Sequence, residues 1–459
     1  MGNKQFETNL TEGSVPKQLI KFALPFVISN LIQSLYSVAD MIIVGNFAGS
    51  ESMNGVTQGS QMTMLVTNAI AGLSVGGIVL IGQYLGAGRR KELKDTIGTL
   101  LTTLGVLSIA ITLLMLILRH SLLNVMNVPT GVVYEEALRY YTVTTCGTIF
   151  IFGYNALSAI MRGMGDSRTP LKFVGIACVI NVALDILLVG PFGMGAFGAA
   201  IATVASQAIS MILCILYLKR NEFIFDFNLQ SFGFHIKELK LLLKVGFPTM
   251  INNITISISF LFILSLVNRI SDIAGSAVGA VGRINAFAIL PAIAMSSAVS
   301  AMVAQNIGAG KIERAIKTMR TGMTITFIIS AIIFALTQMF PEFLLNLFLD
   351  QRDANYSQYI RDGKAYLRTF SFDYLVVPFH FCLNGLFIGS GNTRFALFNG
   401  MLASVLIRIP ASYFFGMTLG LGITGVGLGA PSASAVSSII CVIFFAMGTW
   451  KKQKIIMRN

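Results

Sequence analysis

Stretches of roughly 20 consecutive, mostly apolar residues return along this chain, the length an α-helix needs to cross the hydrocarbon core of a bilayer. Lipid offers no hydrogen bonds, so a spanning backbone must satisfy its own N–H and C=O groups as a helix or a closed barrel. The apolar runs show no strand-like alternation, which excludes the barrel. Composition agrees: 54% hydrophobic and 12% charged residues, with mean hydropathy +0.75 over 459 residues, leave too little charge to cover a water-soluble fold. The expected class is an all-α polytopic membrane protein. The first apolar run continues into a full span without a small-residue cleavage site, so no cleavable signal peptide is expected.

Twelve spans are read, at approximately 17–44, 58–82, 96–118, 136–160, 171–190, 196–218, 241–268, 280–304, 318–340, 364–388, 395–416 and 426–448. The net charge of +13 is concentrated in alternate connections: Arg89-Arg90-Lys91 with Lys94, Lys219-Arg220, Lys237 with Lys240, Lys311 with Arg314 and Lys317, and the C-terminus. The connections Gly45 to Gly55, Gly190 to Gly195 and Gly416 to Gly425 carry no Lys or Arg. This is the positive-inside pattern, placing both termini in the cytoplasm of a multi-pass protein of the inner (plasma) membrane. It accounts for the basic charge without nucleic acid as a partner.

The chain repeats itself. Gln83-Tyr84-Leu85-Gly86-Ala87-Gly88 returns 222 residues later as Gln305-Asn306-Ile307-Gly308-Ala309-Gly310. Lys21-Phe22-Ala23-Leu24-Pro25 returns at 223 as Lys244-Val245-Gly246-Phe247-Pro248, and Gly163-Met164-Gly165-Asp166-Ser167-Arg168 at 226 as Gly389-Ser390-Gly391-Asn392-Thr393-Arg394. Each repeat holds six spans, an even number, so the copies are parallel and related by a pseudo-twofold axis along the membrane normal. The expected organisation is an N-terminal lobe over 1–218, a cytoplasmic linker over 219–240 and a C-terminal lobe over 241–459.

The acids break the symmetry. Asp40 in span 1 falls opposite Ile263, and Asp185 in span 5 opposite Ala411 or Ser412. Counting from the outer ends of their spans at 1.5 Å per residue puts Asp40, Asp185 and Thr203 within one helical turn of each other in depth. Asn181 is the i−4 neighbour of Asp185, and Gln33, Tyr36 and Asp40 form an i, i+3, i+7 stripe. An ionised carboxylate costs about 2.5–3.5 kcal/mol at the midplane and less toward the interface. A proton or Na⁺ relieves that cost, and Asp, Asn and Thr oxygens suit a hard monovalent cation. The bland alternative is a static hydrogen-bonded pair open to water.

Pro25 and Pro248 sit early in spans 1 and 7, where proline favours a kink; a bend at Pro25 would move Asp40 against span 5. Arg408 and Asp373 in spans 11 and 10 could pair or line a substrate vestibule. Tyr140 and Tyr141, at the outer end of span 4, suit an interfacial belt better than substrate contact. The five cysteines lie in apolar spans with no CxxC, and the three histidines are scattered, so no disulfide framework, zinc site or other catalytic cluster is indicated and no enzyme is expected. Gly308-Ala309-Gly310-Lys311 lacks the Ser or Thr and the upstream glycine of a nucleotide loop. Transport would therefore draw on an ion gradient or a partner ATPase.

Taken together, two six-span lobes, Pro25 and Asp40 in the first span, the doubled Gln-x-x-Gly-Ala-Gly and Gly-x-Gly-Asp/Asn-Ser/Thr-Arg turns, and Asn181-Val182-Ala183-Leu184-Asp185 in the fifth span resemble the multidrug and toxic compound extrusion (MATE) family over essentially the whole chain. The resemblance implies antiport of organic cations and related drugs against H⁺ or Na⁺, with no cofactor beyond that ion. It is nearest the DinF-like group, which implies a coupling site at Asp40, Asn181, Asp185 and Thr203, possible Na⁺ ligands, with Gln33, Tyr36 and Tyr140 nearby. The NorM-like group uses acids in spans 7 and 10; span 7 here has none before Asp272, and Asp373 stands about a turn early. A lipid-linked oligosaccharide flippase of the same broader superfamily is the alternative, with Arg408, Arg283 and Arg269 its only candidate cavity cations. The implied partners are small organic molecules and membrane lipid, and a monomer suffices because the two lobes supply the cavity.

Overall fold

The computed structural model describes residues 6–126, 128–270, 272–349, 351–452 and 456. Part of the lysine-rich C-terminal tail lies outside them. Every regular element among these residues is helical. The first half comprises α1 (Val15–Gly86), α2 (Arg90–Val125), α3 (Val132–Cys146), α4 (Thr148–Gly163), α5 (Arg168–Val189) and α6 (Gly195–Arg220). The second comprises α7 (Ile236–Ile270), α8 (Asp272–Ala288), α9 (Leu290–Gly308), α10 (Ile312–Met339), α11 (Pro341–Asn346), α12 (Tyr356–Phe370), α13 (Phe372–Gly389), α14 (Thr393–Met401), α15 (Ile409–Tyr413), α16 (Gly422–Gly427) and α17 (Gly429–Met447). π-helical segments at Leu402–Arg408 and Phe414–Thr418 flank α15.

Ten helices among the described residues are long and apolar enough to cross a membrane, and eleven if the bent pair α3–α4 counts as one. The 72-residue α1 would be about 108 Å long if straight, against a hydrocarbon core of about 30 Å. It is broken at Gly49 (φ 83°, ψ 177°), so it supplies two crossings. This corrects one expectation. The connection read from Gly45 to Gly55 is helical on both sides of a single-residue break. Spans 4 and 10 are also interrupted, at Gly147 with a 50° bend and at Ser371.

The repeated glycine motifs are helix stops. Gly88 and Gly310 (φ 70° and 73°) and Gly165 and Gly391 (φ 85° and 90°) adopt the left-handed conformation that glycine reaches without a Cβ clash. Each is followed by the six-residue closure of a Schellman motif: Arg89 N to Tyr84 O, Lys311 N to Asn306 O, Asp166 N to Met161 O, and Asn392 N to Phe387 O. Asp166 Oδ1 also accepts the N–H groups of Arg168 and Thr169, two of the free donors opening α5.

The chain divides into two compact units, Met1–Asn9 with Leu24–Met250, and Leu10–Ala23 with Ile251–Asn459. Both long helices change unit beside a proline: α1 at Ala23–Leu24, before Pro25, and α7 at Met250–Ile251, two residues after Pro248. Proline has no N–H to give the preceding turn, so the helical ladder is weakened where each helix leaves one packing environment.

In the first unit α5 and α3 pack on α6, and α2 on α4. The opening of α7 is held there by Glu238, only 3% exposed, which accepts from Tyr84 Oη at 2.8 Å and Thr96 Oγ1 at 3.4 Å. Gly72 and Gly76 of α1 let the two backbones meet. A Cβ at Gly76 would lie 2.7 Å from the Leu242 carbonyl, and one at Gly72 2.5 Å from the Met250 nitrogen. In the second unit α13 packs with α9, α10 and α17, and α8 with α12. The segment leading into α1 is held there by the twin turn. Leu10 N donates to Gln305 Oε1 (3.1 Å), and the Arg314 guanidinium donates to Gly13 O (2.8 Å), Glu12 O (2.7 Å) and Gln18 Oε1 (2.8 Å).

Gly76→Leu is expected to destabilise the purified protein by about 1–3 kcal/mol through overpacking. Gly105→Leu, at a helical glycine with nothing within 4 Å of the added Cβ, should unfold at or above the wild-type temperature. Thermal unfolding in one detergent checks the pair.

Candidate functional site

Four helices of the first unit bring the polar layer together. α1 carries Tyr36 and Asp40, α3 carries Tyr140, α5 carries Cys178, Asn181 and Asp185, and α6 carries Thr203 and Gln207. Close approach starts from small side chains. Gly195, Ala196, Gly198, Ala199, Ala200 and Ala202 form the buried opening of α6. Glu136 on α3 caps that helix, its Oε2 accepting the Ala196 N–H at 2.8 Å. This contact fixes α3 against α6 and turns Tyr140, the i+4 neighbour of Glu136, toward Thr203. Farther along, Ser210 Oγ donates to Phe173 O at 3.1 Å and joins α6 to α5.

Asp40, Asn181 and Asp185 are buried at 7%, 1% and 0% exposure, Tyr140 is buried, and Thr203 and Tyr36 are half-buried. The Asp40 and Asp185 carboxyl groups lie within hydrogen-bonding reach of each other. Two ionised carboxylates have no donor between them, so the contact becomes a hydrogen bond only when a proton is shared. Among the described residues, Asp40 Oδ1, both oxygens of Asp185, both polar atoms of the Asn181 amide and Thr203 Oγ1 are buried without a hydrogen-bond partner.

Buried polar atoms are normally paired, so such a concentration in one place needs a chemical reason. Their donor set is two carboxylates, one amide oxygen and one hydroxyl. That set fits a hard monovalent cation or a proton, while soft transition metals prefer nitrogen and sulfur. Among the described residues no cluster of three or more His, Cys, Asp or Glu side chains forms a metal site.

The structure thus gathers Asp40, Asn181, Asp185 and Thr203, with Tyr36 and Tyr140 beside them. Tyr140, read from sequence as a belt residue, is buried in this layer. Gln33 stands half-buried two turns before Asp40. Two participants were missed. Gln207 lies beside Tyr36, and Cys178 lies close to Tyr36 and Asp40. Gln207 is the i+4 residue after Thr203, so helical spacing alone could have found it. Pro25 lies inside α1 with its carbonyl accepting from Ser29 Oγ at 2.8 Å. The neighbouring Phe26 ring is covered by the Arg162 guanidinium at 4.0 Å.

In the second unit, Arg408 and Asp373 are buried neighbours, but no ion pair within 4.0 Å joins them among the described residues. The Asp272 side chain lies outside the described residues.

A model of the MatE family matches residues 25–187 and 248–414, one segment in each repeat. The chain is 29% identical over 447 residues to the probable multidrug resistance protein YpnP of Bacillus subtilis, covering 97% of this chain and 98% of that protein. It is 27% identical over 467 residues to the probable multidrug resistance protein NorM of Thermotoga maritima, covering 99% and 98%. Its fold matches a solved outward-facing multidrug resistance MATE family transporter of the MOP superfamily with a TM-score of 0.91. That match is 24% identical and covers 99% of this chain and all of that one. The family match takes in both repeats, with their turns, their prolines and the helices bearing the acid pair, and the chain belongs to the MatE family.

Proposed function

We propose that this chain is a multidrug efflux antiporter that exports amphipathic, often cationic, organic compounds by alternating access in exchange for H⁺ or Na⁺ bound at Asp40, Asn181, Asp185 and Thr203. The observation that carries the reading is the buried carboxyl pair, three of whose oxygens have no hydrogen-bond partner. The relatives named as multidrug resistance proteins supply the substrate class. The basic connections support a plasma-membrane orientation with both termini in the cytoplasm, and a monomer suffices for the mechanism. The two lobes would be 1–218 and 241–459, joined by the 219–240 linker.

The exchange follows from charge. With both carboxylates ionised, the site is repulsive and poorly solvated, so it holds a cation or stays open to water. Loading one H⁺ or Na⁺ lowers the charge of the pair from −2 to −1, relieves the repulsion and lets α1 close on α5. An organic cation satisfies the same need, so ion and drug compete, and each leaves when the other binds. An ion moves the conformational equilibrium only through its different affinity for the two states. The flexible ladder at Pro25 lets the part of α1 bearing Asp40 respond. A tenfold gradient of a monovalent ion supplies about 1.4 kcal/mol per ion, enough for about a tenfold gradient of a singly charged drug in electroneutral exchange.

Asp40→Asn and Asp185→Asn keep side-chain shape and remove the exchangeable charge. In proteoliposomes each is expected to cut gradient-driven efflux of a fluorescent organic cation by about tenfold or more, with reconstitution unchanged; wild-type efflux from either would contradict the assignment. Thr203→Val removes a neutral oxygen that a metal cation needs and a proton does not. Where Na⁺ drives efflux, this variant should require a higher Na⁺ concentration for half-maximal rate, and where H⁺ drives it the pH dependence should stay as in the wild type. Pro25→Ala restores a helical donor and is expected to slow turnover while leaving drug binding in place, a split read by comparing equilibrium dye binding with efflux rate.

A further inference from the structure

The second unit buries a cation of its own. Arg408 is 9% exposed at the end of the π-helical segment Leu402–Arg408. π-turns inside helices are uncommon and frequently mark functional positions. This one is followed by Pro410, which supplies no N–H, and Ser259 Oγ of α7 donates at 2.8 Å to the Ser404 carbonyl within it. On α17, Gly429 comes close to the Arg408 carbonyl, where a Cβ would lie 2.9 Å away. The backbone around this arginine is therefore held from two sides.

Its side chain is poorly satisfied. Arginine stays charged in proteins and presents five N–H donors in a planar fork. The guanidinium carbon lies 4.0 Å over the Phe260 ring, and the guanidinium makes no hydrogen bond or ion pair among the described residues. A cation–π contact is worth about 0.5–2 kcal/mol and uses the face of the guanidinium, leaving the N–H edge unspent. Beside it are Tyr366 and Asp373, both buried, with Asp373 Oδ1 unpartnered; next to Asp373 lie Ser434 and the buried Tyr374, whose Oη is also unpartnered. With the 226-residue offset of the glycine turns, Arg408 matches Val182, next to Asn181 of the acid site. Asp185 matches Ala411 at the same offset, so the two repeats carry opposite charges within one helical turn of matching positions.

We propose that Arg408 forms a binding site for an anionic oxygen group, a carboxylate or phosphate, on an amphipathic molecule, with Tyr374 Oη as a further donor and the partly exposed Phe260 ring as an apolar platform. The guanidinium edge matches such a group with two parallel hydrogen bonds. This rests on the export reading and refines its substrate class to include amphiphiles that carry an anionic group as well as cationic ones. Asp373 opposes the anion, setting a moderate affinity that permits release.

The test uses purified full-length protein and fluorescence polarisation with two dyes, rhodamine 110, which bears a carboxylate, and rhodamine 123, its methyl ester. Arg408→Gln should weaken rhodamine 110 binding by about tenfold or more and leave rhodamine 123 within about twofold, with Arg408→Lys recovering part of the loss. Asp373→Asn should tighten rhodamine 110 binding. Equal loss of both dyes, or no change in either, in a folded Arg408→Gln protein overturns the proposal. If that variant does not fold, unchanged or weaker rhodamine 110 binding by Asp373→Asn overturns it. Adding phosphatidylglycerol to the micelles separates the sources: displacement of rhodamine 110 assigns the site to a lipid phosphate, and retention assigns it to a solute. Gradient-driven export of rhodamine 123 by the wild type tests the export reading alone. Export with an Arg408-independent rhodamine 110 affinity sinks only the anion site, whereas a wild type that binds neither dye overturns both.

Discussion

Two carboxyl groups that meet in a low-dielectric bundle with three of their oxygens unpartnered call for a proton or a cation, and the first unit is organised around that requirement. Asp40 and Asp185 meet where Asn181 and Thr203 offer further polar atoms without partners. The small residues opening α6 and the Glu136 cap bring the helices close enough for the four side chains to share one space. An apolar pair at those two positions would leave a quiet helical core, and a fixed Arg or Lys would supply the balancing charge permanently. The acids as they stand leave the balancing charge to something mobile, which makes ion occupancy a variable the protein can use.

That variable needs a moving part. α1 and α7 each begin in one compact unit and continue in the other, with a proline beside the change. The doubled turns have reciprocal duties: Tyr84 secures Glu238 at the opening of α7, and Gln305 secures Leu10 ahead of α1. The acid of α7, Glu238, sits in its first turn before Pro248, whereas α1 carries Asp40 well beyond Pro25. The second repeat keeps the turns and the proline and puts a buried arginine where the first has neutral residues, so the duplication conserves the framework while the charged groups diverge.

The framework was legible because it depends on local rules. The glycine-rich repeats read as turns, and each pair closes its helix on a left-handed glycine. The depth of Asp40, Asp185 and Thr203 followed from counting residues along helices of fixed rise. Polar residues around Gly49 suggest a connection of eleven residues, Gly45 to Gly55, yet one residue suffices for the break. The bend at Gly147 could not be read because it depends on packing, with a Cβ there meeting the Val204 side chain. At the site, Gln207 stands one turn after Thr203 on α6, a position that the spacing of that helix offers, whereas the approach of Tyr140 to the acids depends on how α3 packs on α6. The π-helical segment before Arg408 has no sequence period of its own, so the setting of that arginine became visible only in three dimensions.

The central claim is that an inorganic cation and an organic one compete for the same carboxyl pair. It is tested most directly by equilibrium binding of a fluorescent organic cation to the purified protein over a series of H⁺ and Na⁺ concentrations, in wild type and Asp185→Asn. Linkage requires the dye's apparent Kd to rise with the concentration of the coupling ion in the wild type and to lose that dependence in the variant. A wild-type dye affinity that is independent of both ions would contradict the account.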